Sequence, residues 1–311
     1  MRVAYGNVWH LPRDILSFLY PSIKRSTPNL PQRTTGEIGS EKELKKSLKG
    51  PETRNSLQVC QFFCVNGQVL SLRNSLQGRH AFRPQNREVV WPNGLTAVEA
   101  ADLSDPEAIH VLVRQLDARN LHGDVLVNNA GLGESELFER SPWSRIRQIV
   151  EVNIVAMLRL SHHFLPAMIS RGHGAILNIG SGAGYAAMPN AAVYTASKHF
   201  VRAFTESLRA QLAGTGVTVS EAAPGPVESE LDQVAGIEGG ATLGQGIFRI
   251  TAQECAADIV REFERGSPVI FPGRNYRWLM KMQPLMPRRL VATHVAQAAR
   301  QIRYRETKRA A

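Results

Sequence analysis

The chain has 311 residues, 43% of them apolar, which is enough for a sizeable hydrophobic core and excludes global disorder. Three cysteines without a C-x-x-C pair argue against a disulfide scaffold or a zinc site, and they favour a reducing compartment. No signal-sequence pattern opens the chain and no uninterrupted apolar run approaches 18 residues, so we expect a soluble, cytoplasmic protein.

The formal net charge of +10 is unevenly distributed. Residues 1–90 carry about 14 basic and 6 acidic groups, residues 91–273 about 13 and 20, and residues 274–311 about 10 and 1. A nucleic-acid surface normally draws its charge from the folded body, which is acidic here. We therefore interpret the excess as solvated basic ends and expect no nucleic-acid partner.

Residues 1–90 are rich in Ser, Asn, Gln and Arg and are broken by prolines. One part of them indicates regular structure, because "LQVCQFFCVNGQVLSLR" places apolar runs on either side of Asn66 and Gly67. Asn-Gly is the dipeptide that two-residue hairpin turns prefer. We predict a hairpin here rather than a strand–helix–strand unit.

From about residue 95 strands and helices alternate along the chain. The strand "LTAVEAADL" precedes a helix with Ser104 as its predicted N-cap, and the strand "DVLVNNAG" precedes a long helix over about 142–171, which we expect Pro166 to interrupt. The strand "AILNIG", a helix starting near "YTASK", the strand "VTVSEAA", a second helix and the strand "PVIF" follow. This rhythm predicts an α/β fold with a doubly wound parallel sheet covered on both faces.

Tyr194 and Lys198 form the most informative pair in the chain. They lie four residues apart in "YTASK" and therefore on one face of the predicted helix. A phenol with a reference pKa of about 10 is a poor acid–base group at neutral pH, and an ammonium one turn away lowers that pKa. The spacing alone also occurs by chance, so the pair needs support from elsewhere in the chain.

Other residues provide that support at the same predicted edge of the sheet. Ser181 follows a strand, where open α/β sheets place their ligands, and its hydroxyl can donate to a substrate carbonyl. The small residues of "NNAG" let backbone approach a flat ligand closely. Asn153, in the intervening helix, can hold a water or an exposed carbonyl. His162, His163 and His199 lack metal-ligand spacing, and we predict no metal site.

In this order the motifs "ADLSDPEAI", "NNAG", "VEVNIV", "GSGAG", "YTASK" and "PGPV" resemble those of the short-chain dehydrogenase/reductase family, over about residues 95–272. The resemblance implies a Rossmann-type sheet and a nicotinamide cofactor, NADP or NAD. It implies that Tyr194 is the general acid or base, Lys198 its tuning group and a ribose ligand, Ser181 the group that polarises the carbonyl, and Asn153 the support of a proton-relay water. The cofactor contacts that it implies, besides Tyr194 and Lys198, are Asp102, Leu103, Asn129, Ala130, Gly131, Pro224, Gly225 and Val227.

The chain departs from the family's pattern near its start. Family members begin with a strand, a T-G-x-x-x-G-x-G turn and a helix that hold the pyrophosphate. Here the corresponding position falls near residues 48–56, "LKGPETRNS", where the turn is missing; "TTGEIGSE", residues 34–41, is the nearest imitation. We predict that the first βαβ unit is atypical or absent. Either "LQVCQFF" serves as a surrogate strand, or the sheet is incomplete, or an incorrect start or frame error changed residues 1–90.

The missing turn also removes the main clue to NADP versus NAD, and only the basic surroundings favour NADP. We expect three parts: an atypical, partly disordered segment over residues 1–90, a catalytic domain over residues 91–273, and a basic amphipathic helical tail over residues 274–311. The tail is a candidate for packing on its own domain or a partner subunit, for covering an apolar substrate, or for peripheral contact with an anionic membrane.

The leading hypothesis is an NAD(P)-dependent oxidoreductase that interconverts an alcohol and a ketone or aldehyde, on a small apolar substrate. The resemblance implies a homodimer or tetramer. The alternative is a catalytically inactive relic or binding module that cannot hold dinucleotide. A further alternative, binding of an anionic membrane or nucleic acid through the basic ends, predicts an affinity that collapses with salt.

Overall fold

The structure is a computed structural model that describes residues 59–65, 68–74, 98–118, 123–228, 246–285 and parts of 293–300. The predictions made for residues 1–58 and for most of the chain beyond residue 285 lie outside the described residues.

The strands are short and alternate with helices from residue 98 onward. They are β1 Val59–Val65, β2 Gln68–Asn74, β3 Val98–Ala100, β4 Val125–Asn128, β5 Gly174–Ile179, β6 Val217–Ala222, β7 Val227–Glu228, β8 Ile250–Thr251 and β9 Val269–Ile270. The α-helices are α1 Pro106–Ala118, α2 Trp143–Val150, α3 Met157–Arg171, α4 Ala192–Gln211, α5 Ala252–Glu264 and α6 Arg274–Met282. Single 3₁₀ turns cover Phe138–Arg140, Gly182–Gly184 and Gln283–Leu285.

Seven of the described strands form one sheet in the order β3-β2-β1-β4-β5-β6-β9, and β7 and β8 form a separate ladder. The neighbours β4–β5, β5–β6, β6–β9 and β2–β3 are parallel. The predicted α/β class, a Rossmann-type doubly wound parallel sheet, is confirmed. Its carboxyl edge brings together the residues that follow β4, β5 and β6.

Strand β1 is the exception, because it runs antiparallel to both of its neighbours. Phe62 pairs with Val127 of β4, and Val65 pairs with Gln68 of β2, which leaves residues 66–67 between the two strands. The predicted hairpin is therefore confirmed, and β1 is the surrogate strand beside β4. As a consequence, the carboxyl end of β1 lies at the opposite edge of the sheet from the carboxyl ends of β4, β5 and β6.

The central strands are buried on both faces, as the doubly wound architecture requires. Leu126 and Ile176 face a core cluster shared with α1, α3 and α4, whereas Val127 and Leu177 face a cluster shared with α5. Successive side chains of a strand point to opposite faces, so a single apolar run supplies both layers. The sheet is thereby packed between helices on both of its faces.

One continuous helical segment over residues 143–171 crosses this sheet, and within the described residues it is the only helix long and apolar enough to span a membrane. Its inward residues, among them Leu160 and Met168, belong to the core. Pro166 does not interrupt α3, contrary to expectation. The irregularity lies instead at a π-helical turn, Glu151–Ala156, between α2 and α3. Single π turns are frequent at functional sites, and this one contains Asn153.

Candidate active site

Ser181 lies at the carboxyl edge of the sheet, where it follows β5 and Gly180. Its Oγ accepts a hydrogen bond from the Ala183 backbone N–H at 3.1 Å and so starts the 3₁₀ turn Gly182–Gly184. The Gly182 N–H donates to the Pro224 carbonyl at 2.8 Å. This bond ties the turn that carries Ser181 to the turn that follows β6.

Tyr194 and Lys198 lie in the first two turns of α4. Tyr194 is half-buried, whereas Lys198 is only 5% exposed. The Lys198 Nζ lies 5.9 Å from the centroid of the Tyr194 ring and donates to the Ile179 carbonyl at 2.8 Å. The carbonyl at the end of β5 thus holds the ammonium beneath the phenol, as the i, i+4 spacing predicts.

Burial lowers the pKa of Lys198 to about 8, and the Glu221 carboxylate opposes this effect. Desolvation disfavours the charged ammonium, while a nearby negative charge favours it. At neutral pH Lys198 therefore remains mostly protonated. It can supply positive charge close to Tyr194 without being exposed to solvent.

Asn153 links three parts of the site from its position in the π turn. Its Oδ1 accepts from the Leu132 N–H at 2.7 Å, and its Nδ2 donates to the Leu132 carbonyl at 3.0 Å and to Ser197 Oγ at 2.9 Å. Ser197 Oγ in turn donates to the Tyr194 carbonyl at 2.7 Å. The Asn153 side chain therefore fixes the loop after β4 relative to α4, a structural role that sequence reasoning did not assign to it.

The loop after β4 approaches Lys198 closely at Gly131. A Cβ on this residue would lie 3.4 Å from Lys198 Nζ and 3.7 Å from Asn153 Oδ1. Asn129 and Ala130, which precede it, are half-buried. Lysine, asparagine and glycine thus meet at one point, and the missing side chain of Gly131 lets the backbone approach the Lys198 ammonium closely.

Asp102 and Leu103 lie at the carboxyl end of β3, farther along the same edge. The Asp102 Oδ1 accepts from the Ser104 N–H at 2.8 Å and from the Ser104 hydroxyl at 2.7 Å, while Leu103 is fully buried. Ser104 is not the N-cap of α1, because the Asp105 Oδ1 accepts from the Glu107 N–H at 3.0 Å instead. The predicted N-cap was therefore one residue too early, because the Ser104 hydroxyl is bonded to Asp102 and does not cap the helix.

Pro224, Gly225 and Val227 form the turn that follows β6, and α6 packs against it. A Cβ on Gly225 would come within 2.7 Å of the Tyr276 ring, and a Cβ on Gly182 would meet the Tyr276 hydroxyl. Tyr276 is buried although the neighbouring Trp278 is 66% exposed. The first turn of α6 therefore lies on the candidate active site.

Sequence reasoning missed three residues of this region: Glu221, Tyr185 and Tyr276. The Tyr185 hydroxyl donates to Glu221 Oε2 at 2.8 Å, and the guanidinium of Arg202 lies 4.0 Å from the Tyr185 ring centroid. A signal was available for Glu221, because a glutamate inside the apolar strand "VTVSEAA" requires a reason. The two tyrosines carry no such signal, since only the tertiary fold brings them to the edge.

The fold and the edge together define an α/β protein of the class that binds its ligand beyond the carboxyl ends of a doubly wound sheet. The sequence profile of the short chain dehydrogenase family matches residues 73–237, which is more than half of the chain. The chain belongs to the short-chain dehydrogenase family.

Individual relatives agree with this assignment. An uncharacterized oxidoreductase from Myxococcus xanthus (strain DK1622) is 38% identical over 130 residues, which are 42% of this chain and 51% of that protein. Sulfoacetaldehyde reductase from Chromohalobacter salexigens is 34% identical over 168 residues, or 52% of this chain and 65% of that protein. This chain therefore spans between about half and two thirds of the length of these curated relatives.

The same likeness holds among solved structures. A short-chain dehydrogenase from Sphingobium yanoikuyae in complex with NADPH is 28% identical and superimposes with a TM-score of 0.53. The match covers 59% of this chain and 71% of that chain.

Proposed function

We propose that the chain is an oxidoreductase that interconverts an alcohol and a ketone or aldehyde with a nicotinamide dinucleotide as hydride carrier. The observation that carries this proposal is the buried Lys198 ammonium beneath Tyr194, with Ser181 on the neighbouring turn. The bound NADPH of a related short-chain dehydrogenase supports the kind of cofactor.

The described residues fit the nicotinamide and ribose half of such a cofactor. Gly131 and Lys198 Nζ lie close together, and these two residues would hold a ribose hydroxyl between the loop after β4 and α4. The turn of Pro224, Gly225 and Val227 would face the nicotinamide, and Asn129 and Ala130 would line the ribose. The contribution of Asp102 and Leu103 to the adenine end belongs to the same proposal.

When bound, the nicotinamide supplies or removes the hydride, and the protein supplies proton transfer, orientation and charge. In the direction of reduction Tyr194 gives its phenolic proton to the carbonyl oxygen, and in oxidation the phenolate accepts it. Lys198 stabilises the phenolate through its positive charge. Ser181 donates a hydrogen bond to the same oxygen, and Asn153 holds the loop and α4 in register.

A second candidate function, a binding module without turnover, is favoured by one specific observation. The strand beside β4 is antiparallel, so its carboxyl end, after which the family places its phosphate-binding turn, lies at the opposite edge. The chain would then keep the family's catalytic edge but lack the usual pyrophosphate contacts.

Fluorescence titration of the full chain with NADPH and with NADH separates these candidates. The oxidoreductase proposal predicts saturable binding of at least one of them, and turnover of apolar ketones or aldehydes with the cofactor that binds. Absence of binding up to millimolar concentrations of both would refute it and favour the binding module. The ratio of the two affinities also decides between NADP and NAD, where the basic ends favour NADP.

A further inference from the structure

Glu221 is a buried acidic residue near the carboxyl end of β6. It lies in β6 opposite Asn178 of β5, and it is only 2% exposed. Burying a carboxylate costs free energy unless charges or hydrogen bonds compensate. The cost of burying Glu221 therefore requires compensating interactions or a functional reason.

The polar groups that act on Glu221 come from the loop after β5, from α4 and from α6. The Tyr185 hydroxyl, from the loop after β5, donates to Oε2 at 2.8 Å. Three basic residues of α4, namely Lys198, Arg202 and Arg209, lower its pKa, and burial raises it by more. The fourth direction is Tyr276 of α6, whose own pKa is raised by burial and by the Glu221 charge.

The carboxylate also lies directly behind the turn that carries Ser181. A Cβ on Gly180 would meet Glu221 Oε1 and would lie 3.2 Å from its Cγ and Cδ. Gly180 follows Ile179, whose carbonyl accepts the Lys198 ammonium, and precedes Ser181. The glutamate thus fills the space beneath one short segment that connects two proposed active-site groups.

One oxygen of this carboxylate is left over. Among the described residues Glu221 Oε1 has no hydrogen-bond partner, and neither has the buried hydroxyl of Tyr276. A purely structural glutamate would normally have both oxygens paired. Besides the Tyr185 hydrogen bond, the positive charges of α4 favour the ionised carboxylate, and Lys198 is one of them.

We propose that Glu221 is a positioning residue that acts through Lys198: its carboxylate keeps the buried ammonium charged beneath Tyr194 and supports the turn that carries Ser181. This role rests on the proposed oxidoreductase function. It makes the acid–base behaviour of the site depend on a residue that does not touch the substrate.

The test is a titration of lysine side chains by NMR in the full chain labelled with ¹³C at lysine Cε. The Lys198 signal is identified as the one that Lys198→Arg removes. We expect this signal to titrate near pH 8 in the wild type and about one pH unit lower in Glu221→Gln, because the loss of a nearby negative charge disfavours the ammonium by an amount of this order. Glu206 is an exposed glutamate of α4, the helix that carries Lys198, and Glu206→Gln should leave the signal unchanged.

A second variant covers the case in which Glu221→Gln does not fold. Tyr185→Phe removes the hydrogen bond to Oε2 and so disfavours the ionised form of Glu221. The Lys198 signal should therefore move in the same direction by a smaller amount. In the active enzyme the pH profile of kcat/KM should shift together with the NMR titration.

The outcomes distinguish the two proposals. An unshifted Lys198 signal in Glu221→Gln and Tyr185→Phe, in an enzyme that turns over substrate, would overturn the role of Glu221 alone. A shifted signal in a chain that neither binds dinucleotide nor turns over would overturn the proposed function and the positioning role with it.

Discussion

The side chain of Asn153 donates a hydrogen bond to Ser197 at 2.9 Å and so joins the π turn to the helix that carries Tyr194 and Lys198. Both residues are 2% exposed, and neither side chain reaches solvent. The bond spans 44 positions of sequence and fixes the distance between two elements that the candidate site requires together.

Replacing Ser197 by alanine should loosen this junction. Ser197→Ala removes one acceptor for Asn153 and one donor to the Tyr194 carbonyl, and we expect the free energy of unfolding to fall by about 1–2 kcal/mol. Chemical denaturation measures the change. Ser207→Ala, an exposed serine on the same helix, is the control and should stay within about 0.5 kcal/mol of the wild type. Equal effects of the two substitutions would contradict the assignment.

A buried amide pair across two central strands offers a second test. Asn128 Nδ2 donates to Asn178 Oδ1 at 2.7 Å, and Asn178 Nδ2 donates to Thr205 Oγ1 at 2.9 Å. Asn178→Ala leaves buried polar groups unpaired and should cost about 2–4 kcal/mol of unfolding free energy. A double-mutant cycle of Asn128→Ala and Asn178→Ala should give a coupling above about 0.5 kcal/mol. Strict additivity would show that the pair contributes nothing as a pair.

Gly214 and Gly216, which precede β6, test the packing of this turn against the end of α3. Gly214 and Gly216 have φ values of +85° and +80°, so an alanine at either position is strained to a similar extent. A Cβ on Gly216 would also collide with the Gly172 carbonyl at the end of α3, whereas Gly214 has open space. Thermal unfolding of Gly216→Ala should therefore reveal a loss of stability at least about 1 kcal/mol larger than that of Gly214→Ala. A larger loss for Gly214→Ala would show that this packing is wrong.

The buried Lys198 should leave a signature in the pH dependence of stability. Its pKa in the folded chain is about 8, below the ordinary value of 10.5, so between these pH values the unfolded chain binds more protons. The free energy of unfolding of the wild type, relative to that of Lys198→Met, should therefore rise as the pH increases from 8 to 10. Denaturation at a series of pH values measures the difference. A difference that is constant or falls with pH would contradict a depressed pKa.

The sheet edge could be predicted because it is built from local signals. The small residues around Gly131, the turn at Ser181 and the i, i+4 spacing of Tyr194 and Lys198 are each legible in a short window of sequence. Chain order then places them on one edge, since parallel strands share a direction. The hairpin of β1 and β2 was predicted from the dipeptide Asn66-Gly67 and the apolar runs on either side of it.

The features that escaped prediction depend on tertiary contacts between distant parts of the chain. The π turn at Asn153 has no period of its own, and the helix continues through Pro166 because packing outweighs the lost hydrogen bond. Tyr276 meets Gly225 only because α6 folds back onto the edge. Glu221 was visible as a charge in an apolar strand, but its partners come from elements that are remote in sequence.

Replacing Tyr194 by phenylalanine tests the central claim most directly, because the substitution removes only the hydroxyl that the proposed chemistry uses. With an apolar ketone or aldehyde and the dinucleotide that binds, we predict that Tyr194→Phe lowers kcat by at least about 100-fold while the dissociation constant of the dinucleotide stays nearly unchanged. Retention of full turnover by Tyr194→Phe would contradict the proposal that this phenol transfers the proton.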